Sequence, residues 1–251
     1  MQPTPGDDRG LERLESLDEM LSYIAHEIRN PLSVLQGYAG TIKDRARSMT
    51  PEELEAAARA LEKSAKNLDI LVTSLTDAKA ISGDEIKLHL TDVLISELVE
   101  ETMADLEPLT RGHQMSVHIE DDARVRLDVV RIRQVLTNLV SNAVKFSPRG
   151  TEVAVKVLRN EDRVEICIQD GGPGIPKDRL NELFHKFSRL GSQAKGTGLG
   201  LWVSRGIARA HGGDLTVGDG SNDGCLMVLS LPIHGEAAEG ELPSDQQNLP
   251  R

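Results

Sequence analysis

Apolar residues recur with a seven-residue period over the first third of the chain. One row consists of Leu14, Leu21, Ile28, Leu35 and Ile42, and a second row of Leu11, Leu17, Ile24, Leu32 and Ala39. Two apolar positions per heptad are typical of a helix that packs in a bundle. Beyond residue 50 the spacing is repeated by Leu54, Leu61, Leu68 and Leu75. The pattern predicts a long helical hairpin over residues 11–81.

A capping signal separates the two predicted helices. Thr50 is followed by Pro51 and, three residues after the threonine, by Glu53. This order predicts Thr50 as N-cap, Pro51 as the first helical residue and Glu53 as the closing member of a capping box. Two helices alone enclose little core, and the simplest partner for the apolar rows is a second copy of the chain. The hairpin therefore predicts a dimeric four-helix bundle.

From residue 86 onward the pattern changes to alternating strands and helices. Strands are predicted at 86–90, 114–119, 124–127, 153–158, 164–169, 215–217 and 225–231. Helices are predicted at 95–109, at 129–146 and from 200 to about 210. Such a succession indicates an α/β sandwich over residues 86–233, joined to the hairpin by a linker at 82–85. The polar segments 1–10 and 234–251 are predicted to be disordered.

Composition and charge narrow the classes of partner. A net charge of −11 argues against nucleic acid or an anionic membrane surface as the main partner. No apolar run approaches the roughly 18 residues that a membrane span requires, and no signal peptide precedes the first helix. We therefore expect a cytoplasmic protein, or the cytoplasmic part of a longer membrane-bound sensor.

The first chemical motif is His26-Glu27-Ile28-Arg29-Asn30-Pro31. His26 falls on the outward side of the predicted helix, with Asn30 one turn further along the same face and Glu27 beside it. Pro31 cannot donate a backbone hydrogen bond and is predicted to kink the helix next to His26. A solvated surface pair is the plain alternative, and this motif alone does not decide between the two.

The second motif places Asn138, Asn142 and Lys145 on one face of the predicted helix 129–146. Amide oxygens suit a Mg²⁺ ion that retains waters, and an ammonium group suits phosphate. Taken alone, the three residues equally fit a half-exposed polar stripe.

The third motif, Asp170-Gly171-Gly172-Pro173-Gly174-Ile175, ends a predicted strand. A carboxylate there only accepts hydrogen bonds, so it can recognise the amino group of adenine and would repel the carbonyl of guanine. The glycines allow backbone to approach a flat base. Glycine-rich turns are common, so this motif is also weak in isolation.

The fourth motif, Gly196-Thr197-Gly198-Leu199-Gly200, opens a predicted helix and offers free N–H groups to phosphate. It is neither a Walker A loop nor a convincing Rossmann fingerprint, because Gly-Lys-Ser/Thr and a preceding strand are missing. Between the third and fourth motifs lies the F segment, residues 183–189. Its phenylalanines can anchor a lid while Lys186 and Arg189 reach phosphates, although an amphipathic turn is the plain alternative.

In this order, the five segments resemble the H, N, G1, F and G2 boxes of a sensor histidine kinase of a two-component system. The hairpin resembles the dimerisation and histidine-phosphotransfer domain of that family. Residues 86–233 resemble its catalytic ATP-binding domain, which has the Bergerat (GHKL) fold. The resemblance covers nearly all of residues 11–233.

The resemblance implies ATP and Mg²⁺ as cofactors and a role for each matching residue. His26 would accept the phosphoryl group on Nε2, and Glu27 would orient its ring or take the Nδ1 proton. Asn142 would be the Mg²⁺ ligand, and Asp170 would bind adenine. The other nucleotide-binding positions would be Asn138, Lys145, Gly172, Gly174, Ile175, Lys186, Phe187, Arg189, Gly196, Thr197, Gly198, Leu199 and Gly200.

The resemblance also implies a response regulator as partner. Its aspartate would receive the phosphoryl group, and Asn30 matches the residue that orients a water for dephosphorylation of that partner. The short segment between Arg189 and Gly196 suggests a small lid and modest ATP affinity.

Three rival functions make different demands on the sequence. An ATPase or chaperone of the same superfamily would carry a glutamate at position 138, where this chain has asparagine. A degenerate scaffold would have lost boxes, and a serine/threonine anti-sigma kinase would lack the hairpin histidine.

Overall fold

The structure is a computed structural model that describes residues 7–83, 85–188, 197–218 and 224–233. Within the first helix, side chains are described for Ser22 and from Ile24 onward. The chain divides into two compact units, Met1–Ala80 with His185–Leu199, and Ile81–Phe184 with Gly200–Arg251. Residues 1–6, the tail 234–251, Arg189 and Gly196 lie outside the described residues.

The predicted hairpin is present as helix α1, Asp7–Arg45, and helix α2, Pro51–Ser82. The capping box is confirmed, because the Thr50 N–H donates to Glu53 Oε2 at 2.9 Å and the Glu53 N–H donates to Thr50 Oγ1 at 3.2 Å. Helix α1 differs from prediction at its start, since it begins inside the segment 1–10 that was predicted to be disordered.

The buried row of α2 is not the leucine row that the sequence predicts. Ala57, Ser64 and Leu71, seven residues apart, are buried. Leu61, Leu68 and Leu75 are half-buried, and Leu54 is 44% exposed. Two residues of this row, Ala57 and Ser64, are small, whereas the row predicted for α2 consists of leucines alone.

Helix α1 also keeps apolar side chains at its surface. Ile28, Leu35 and Ile42 are half-buried, whereas Leu32 is 41% exposed. Both helices of the described hairpin therefore keep apolar side chains partly accessible.

The second unit contains a five-stranded sheet in the order β2-β4-β5-β7-β6. These strands are β2 Gln114–Ile119, β4 Glu152–Asn160, β5 Arg163–Asp170, β6 Asp214–Val217 and β7 Leu226–Pro232. Strands β2 and β4 are parallel and the other neighbours are antiparallel. A separate antiparallel pair joins β1, Thr91–Leu94, to β3, Arg124–Leu127.

Three helices complete this unit: α3 Ile95–Thr110, α4 Val129–Phe146 and α5 Gly200–Ala210. Along β4 and β7 every second residue is buried, which is the alternation of strands covered on one face. The apolar stripe of α4 comprises Ile132, Val135, Leu136, Leu139, Val140 and Ala143. The predicted fold class, a helical hairpin followed by an α/β sandwich, is confirmed.

The strand predicted at 86–90 is wrong, because the first strand begins at Thr91. Ile86, Leu88 and Leu90 are half-buried and alternate with exposed residues, so the apolar alternation is real. The described backbone of this stretch has no ladder partner; instead the His89 N–H donates to Asp128 Oδ2 at 2.9 Å. Alternation reports which side chains are covered and does not require a neighbouring strand.

None of the helices in the described part of the chain combines the length and the apolar character that crossing a membrane requires.

Candidate phosphoacceptor and nucleotide-binding sites

The motif around His26 lies on an unbroken stretch of α1. His26 and Asn30, one turn apart, are exposed, and Glu27 is half-buried. The helix continues through Pro31, and the kink predicted there stays a prediction. The structure thus presents an imidazole and an amide on the same accessible face, with a carboxylate beside them.

Helix α4 positions the predicted Mg²⁺ and phosphate residues. The Asp128 side chain caps this helix by accepting from the Arg131 N–H at 3.1 Å. Asn138 and Asn142 are half-buried and Lys145 is exposed. The amide oxygens of two asparagines are ligands of the kind that Mg²⁺ binds, so the residues present fit the ion.

Asn138 is tied to helix α5. Its Nδ2 donates to the Oγ of Ser204, a buried residue of α5, at 2.9 Å. A Cβ on Gly200, the first residue of α5, would lie 2.5 Å from Asn138 Oδ1. A larger residue at position 200 would therefore displace the Asn138 carboxamide, because the start of α5 lies directly against it.

Asp170 is held as a hydrogen-bond acceptor at the end of β5. The residue is 8% exposed, and its Oδ1 accepts the N–H of Gly172 at 2.8 Å and the N–H of Cys225 at 3.2 Å. Among the described residues nothing donates to Oδ2. The carboxylate therefore has one oxygen fixed by the backbone and one available to a ligand's N–H group.

Glycines let the loop after Asp170 pack closely. A Cβ on Gly172 would lie 2.9 Å from both Asp170 Oδ1 and the carbonyl oxygen of Phe146 at the end of α4. Gly174 has a φ of +71° and lies against the carbonyl oxygen of Gly224. Gly224 has a φ of +121°, and a Cβ there would overlap the carbonyl oxygen of Asp170. Ile175 follows in this loop and is half-buried.

Two predicted residues of the first unit lie in contact. Phe187 and Gly198 have φ values of +62° and +68°, and a Cβ on Gly198 would lie 2.5 Å from the Phe187 carbonyl carbon. The Leu199 N–H donates to Thr197 Oγ1 at 3.2 Å, Leu199 is buried, and Lys186 is exposed. The F segment and the glycine-rich turn thus meet at Phe187 and Gly198.

Sequence analysis missed the residues that support these positions. Ser204 contacts Asn138, and Gly224 and Cys225 contact Asp170, in each case across more than 50 residues of chain. Burial, together with the negative charge of Asp170, raises the pKa of the Cys225 thiol to about 12, so this thiol stays protonated. The sequence Asn-Asp-Gly before Cys225 is a local signal for a tight turn, but it does not indicate which residue the following backbone contacts.

His211 is a further residue that sequence analysis missed, and it joins the end of α5 to the start of α4. Its Nε2 accepts the backbone N–H of Asp128 at 3.0 Å, so Nδ1 carries the proton and donates to the Ile207 carbonyl at 2.8 Å. Burial lowers the pKa of His211 below its usual value and outweighs the raising effects of Ile207 and Asp128. Burial opposes ionisation of Asp128 too, yet N–H donors such as His89 lower the pKa of its carboxyl group.

His211 should make this unit sensitive to acid. Because its pKa is lowered on folding, the unfolded chain binds the proton more readily, and stability falls as the pH drops below about 6.5. We expect wild type to lose up to about 1.4 kcal/mol more unfolding free energy than His211→Gln between pH 7.5 and 5.5. Urea unfolding followed by the fluorescence of Trp202, the single tryptophan, measures this.

The exposed His118 is the matched control, because His118→Gln should keep the pH dependence of wild type. Equal pH dependence in His211→Gln and wild type would contradict the assignment of a neutral, buried His211.

Comparison with known proteins places the chain in a family. Residues 16–83 match the family described as "His Kinase A (phospho-acceptor) domain". Residues 127–235 match the one described as "Histidine kinase-, DNA gyrase B-, and HSP90-like ATPase". The two matches fall on the hairpin and on the sheet domain with its asparagines and glycine-rich loops. The chain belongs to the sensor histidine kinases.

Individual relatives agree with this assignment. The chain is 28% identical over 235 residues to the adaptive-response sensory kinase SasA of Synechococcus elongatus, covering 89% of this chain and 61% of SasA. The histidine kinase ThkA, solved in complex with the response regulator protein TrrA, is 28% identical with a TM-score of 0.62, covering 88% of this chain and 63% of that one. Full-length ShkA in complex with AMPPNP is 26% identical with a TM-score of 0.61, covering 88% and 47%. The chain thus spans less than two thirds of each of these relatives.

Proposed function

We propose that this chain binds ATP with Mg²⁺, transfers the γ-phosphoryl group to His26, and passes it to an aspartate of a response regulator. The observation that carries the proposal is the pairing of an exposed His26 motif on a hairpin with an Asp170 whose Oδ2 is free to accept from a ligand. ShkA in complex with AMPPNP supports the nucleotide, and ThkA in complex with TrrA supports the regulator.

His26 acts as the nucleophile. The lone pair of a neutral imidazole Nε2 attacks the γ-phosphorus, the bond to the bridging oxygen of ADP breaks, and a proton leaves from Nδ1. Glu27, half-buried on the same turn, accepts this proton or orients the ring. Exposure of His26 is what an in-line attack on an approaching nucleotide requires.

The nucleotide is held from both ends. Asp170 Oδ2 accepts the amino group of adenine, while Asn138, Asn142 and Lys145 face the phosphates from α4. Mg²⁺, when bound, neutralises charge on the phosphates, and the amide oxygen of Asn142 serves as its protein ligand. Lys186 and Arg189 of the F segment and the N–H groups at the start of α5 add positive charge to the same end of the nucleotide.

Asparagine at position 138 favours a kinase over an ATPase. The Asn138 carboxamide cannot take a proton from water, and its Nδ2 is already engaged with Ser204. Bound ATP is therefore protected from hydrolysis until an imidazole approaches. This residue is the feature that disfavours the ATPase and chaperone alternatives.

We infer that the hairpin forms a homodimer. The partly exposed leucines include Leu32 on α1 and Leu54 on α2, at 41% and 44% exposure. A four-helix bundle of two hairpins would bury these apolar side chains, which a single hairpin in water would leave accessible.

Dephosphorylation of the regulator is assigned to Asn30. It lies one turn beyond His26 on the exposed face, where its carboxamide can orient a water towards a phosphoaspartate. Asn30→Ala should lower this phosphatase rate by about 100-fold and leave autophosphorylation within about two-fold. The rate is measured on a phosphorylated receiver domain that accepts phosphate from wild type.

Asn160→Ala, an exposed substitution in the sheet domain, should dephosphorylate the same receiver at the wild-type rate. A normal rate in Asn30→Ala would remove the phosphatase assignment and leave the kinase proposal intact.

Transfer to a regulator is tested directly with the phosphorylated chain. After autophosphorylation with γ-labelled ATP and removal of nucleotide, the chain is mixed with a panel of receiver domains and Mg²⁺. We expect label to leave the chain within minutes and to appear on one receiver. Label that stays on the chain with every receiver would contradict the proposed transfer.

A further inference from the structure

An ion pair with two hydrogen bonds lies between α5 and β6. Arg205 Nε and Nη2 donate to Asp214 Oδ1 and Oδ2 at 2.7 and 2.9 Å. The Leu215 N–H also donates to Asp214 Oδ1, and Arg209 Nε approaches the same oxygen at 3.2 Å. The Arg205 and Asp214 side chains are 27% and 35% exposed, so water screens this pair only in part. The guanidinium is fixed in orientation by its fork on the carboxylate.

The same guanidinium lies over an aromatic ring. Arg205 Cζ lies 4.6 Å from the centroid of the Phe184 ring, which is a cation–π distance. Phe184 is half-buried and follows Leu183, which is buried. One arginine therefore donates two hydrogen bonds to Asp214 while its guanidinium lies over Phe184, a combination that a lysine cannot reproduce.

Phe184 and Arg205 belong to two segments that are assigned to the phosphate site. Phe184 lies in the F segment two residues before Lys186, which is assigned to the phosphates. Arg205 lies on α5, the helix that begins at Gly200 against Asn138. The contact thus attaches the beginning of the F segment to the helix whose first residue adjoins the asparagine of the phosphate site.

We propose that Arg205, held by Asp214, is a positioning residue that fixes the F segment through Phe184 and thereby sets the affinity for ATP. The inference rests on the ATP-binding function proposed above. Lys186 gains phosphate contact only if the chain before it is fixed, because an unfixed segment loses conformational entropy when the nucleotide binds. An ordinary partly exposed ion pair would instead affect only stability, and only slightly.

Three substitutions separate these roles. Arg205→Lys keeps the charge but loses the fork and the flat face, Phe184→Leu keeps apolar volume but loses the ring, and Arg205→Lys/Phe184→Leu closes a double-mutant cycle. Arg209→Lys is the matched control, because Arg209 contacts Asp214 but makes no ring contact among the described residues. The readouts are the KM for ATP and kcat of autophosphorylation, the Kd of ATP by calorimetry, and the melting temperature.

We expect Arg205→Lys and Phe184→Leu each to raise the KM and Kd for ATP by about 3- to 10-fold, with kcat changed less than about two-fold. The double variant should be no weaker than the weaker single variant, because both remove the same contact. Arg209→Lys should match wild type. Unchanged ATP affinity in both single variants, or additive losses in the double variant, would overturn the inference.

ATP binding by the wild-type chain distinguishes failure of the proposed function from failure of the positioning role of Arg205. A wild-type chain that fails to bind ATP would contradict the proposed function itself. A wild-type chain that binds ATP, with variants of lowered melting temperature and equal ATP affinity, would contradict only the positioning role. Phe184→Tyr keeps the ring, and it should retain wild-type affinity if Phe184→Leu is weakened through loss of the ring.

Discussion

Replacing Asp170 with asparagine should weaken ATP binding by about 100-fold or more. Two backbone N–H groups, from Gly172 and Cys225, fix the Oδ1 position as an acceptor. In Asp170→Asn the carboxamide oxygen must therefore take that position, and the NH₂ group takes the position of Oδ2. A donor would then face the amino group of adenine, which is also a donor. The loss combines a missing charge-assisted hydrogen bond with a repulsive contact.

Calorimetric titration with ATP and Mg²⁺ measures the effect of Asp170→Asn. Asp121→Asn is the matched control, because Asp121 is exposed and its substitution makes the same change of charge away from the site. Both variants should melt within a few degrees of each other, since the amide can keep the two loop hydrogen bonds. Tight ATP binding by a folded Asp170→Asn variant would show that this carboxylate does not read the base.

Replacing His26 with glutamine should lower autophosphorylation to below about one thousandth of the wild-type rate. Glutamine is similar in size and polar, so it suits the exposed position on α1, but its amide nitrogen is not a nucleophile. Affinity for ATP should stay within about two-fold, because His26 lies in a different compact unit from Asp170. The two substitutions therefore separate binding from phosphoryl transfer.

His118→Gln provides the control for the second prediction, since His118 is exposed on β2. It should autophosphorylate at the wild-type rate. Phosphorylation of His26→Gln at a rate near that of wild type would require another acceptor residue in the chain.

Local signals predicted much of the fold. The capping box at Thr50 and Glu53 depends on residues three apart, and it is present as the sequence indicates. Helix α4 matches the predicted limits, because its apolar stripe is continuous and Asp128 supplies the cap. These features could be predicted because the residues that determine them are neighbours in the chain.

The supports of the site could not be predicted in the same way. The hydrogen bond from Asn138 to Ser204 spans 66 residues, and that from Cys225 to Asp170 spans 55. Nothing in a single sequence pairs a serine with a particular asparagine at such a separation. The motifs indicated which residues are candidates for binding and catalysis. Tertiary packing decides which atom of each residue can still bind a ligand.

Packing also explains the two misjudged segments. In α2 the buried row is Ala57, Ser64 and Leu71, where small side chains do not stand out in an apolar pattern. At 86–90 the alternation marks covered side chains on a stretch whose His89 N–H is satisfied by Asp128 and not by a strand. In α2 the apolar pattern therefore indicated the wrong row, whereas at 86–90 it indicated the covered side chains correctly but not the absence of a strand.

The most direct test of the central claim is the chemistry of the phosphorylated residue. The wild-type chain is incubated with γ-labelled ATP and Mg²⁺, the product is divided between acid and alkali, and the labelled peptide is located by mass spectrometry. The account predicts label that is lost in acid, survives alkali and lies on the peptide containing His26. Label stable in acid, label on another residue, or release of phosphate with none retained on the chain would contradict it.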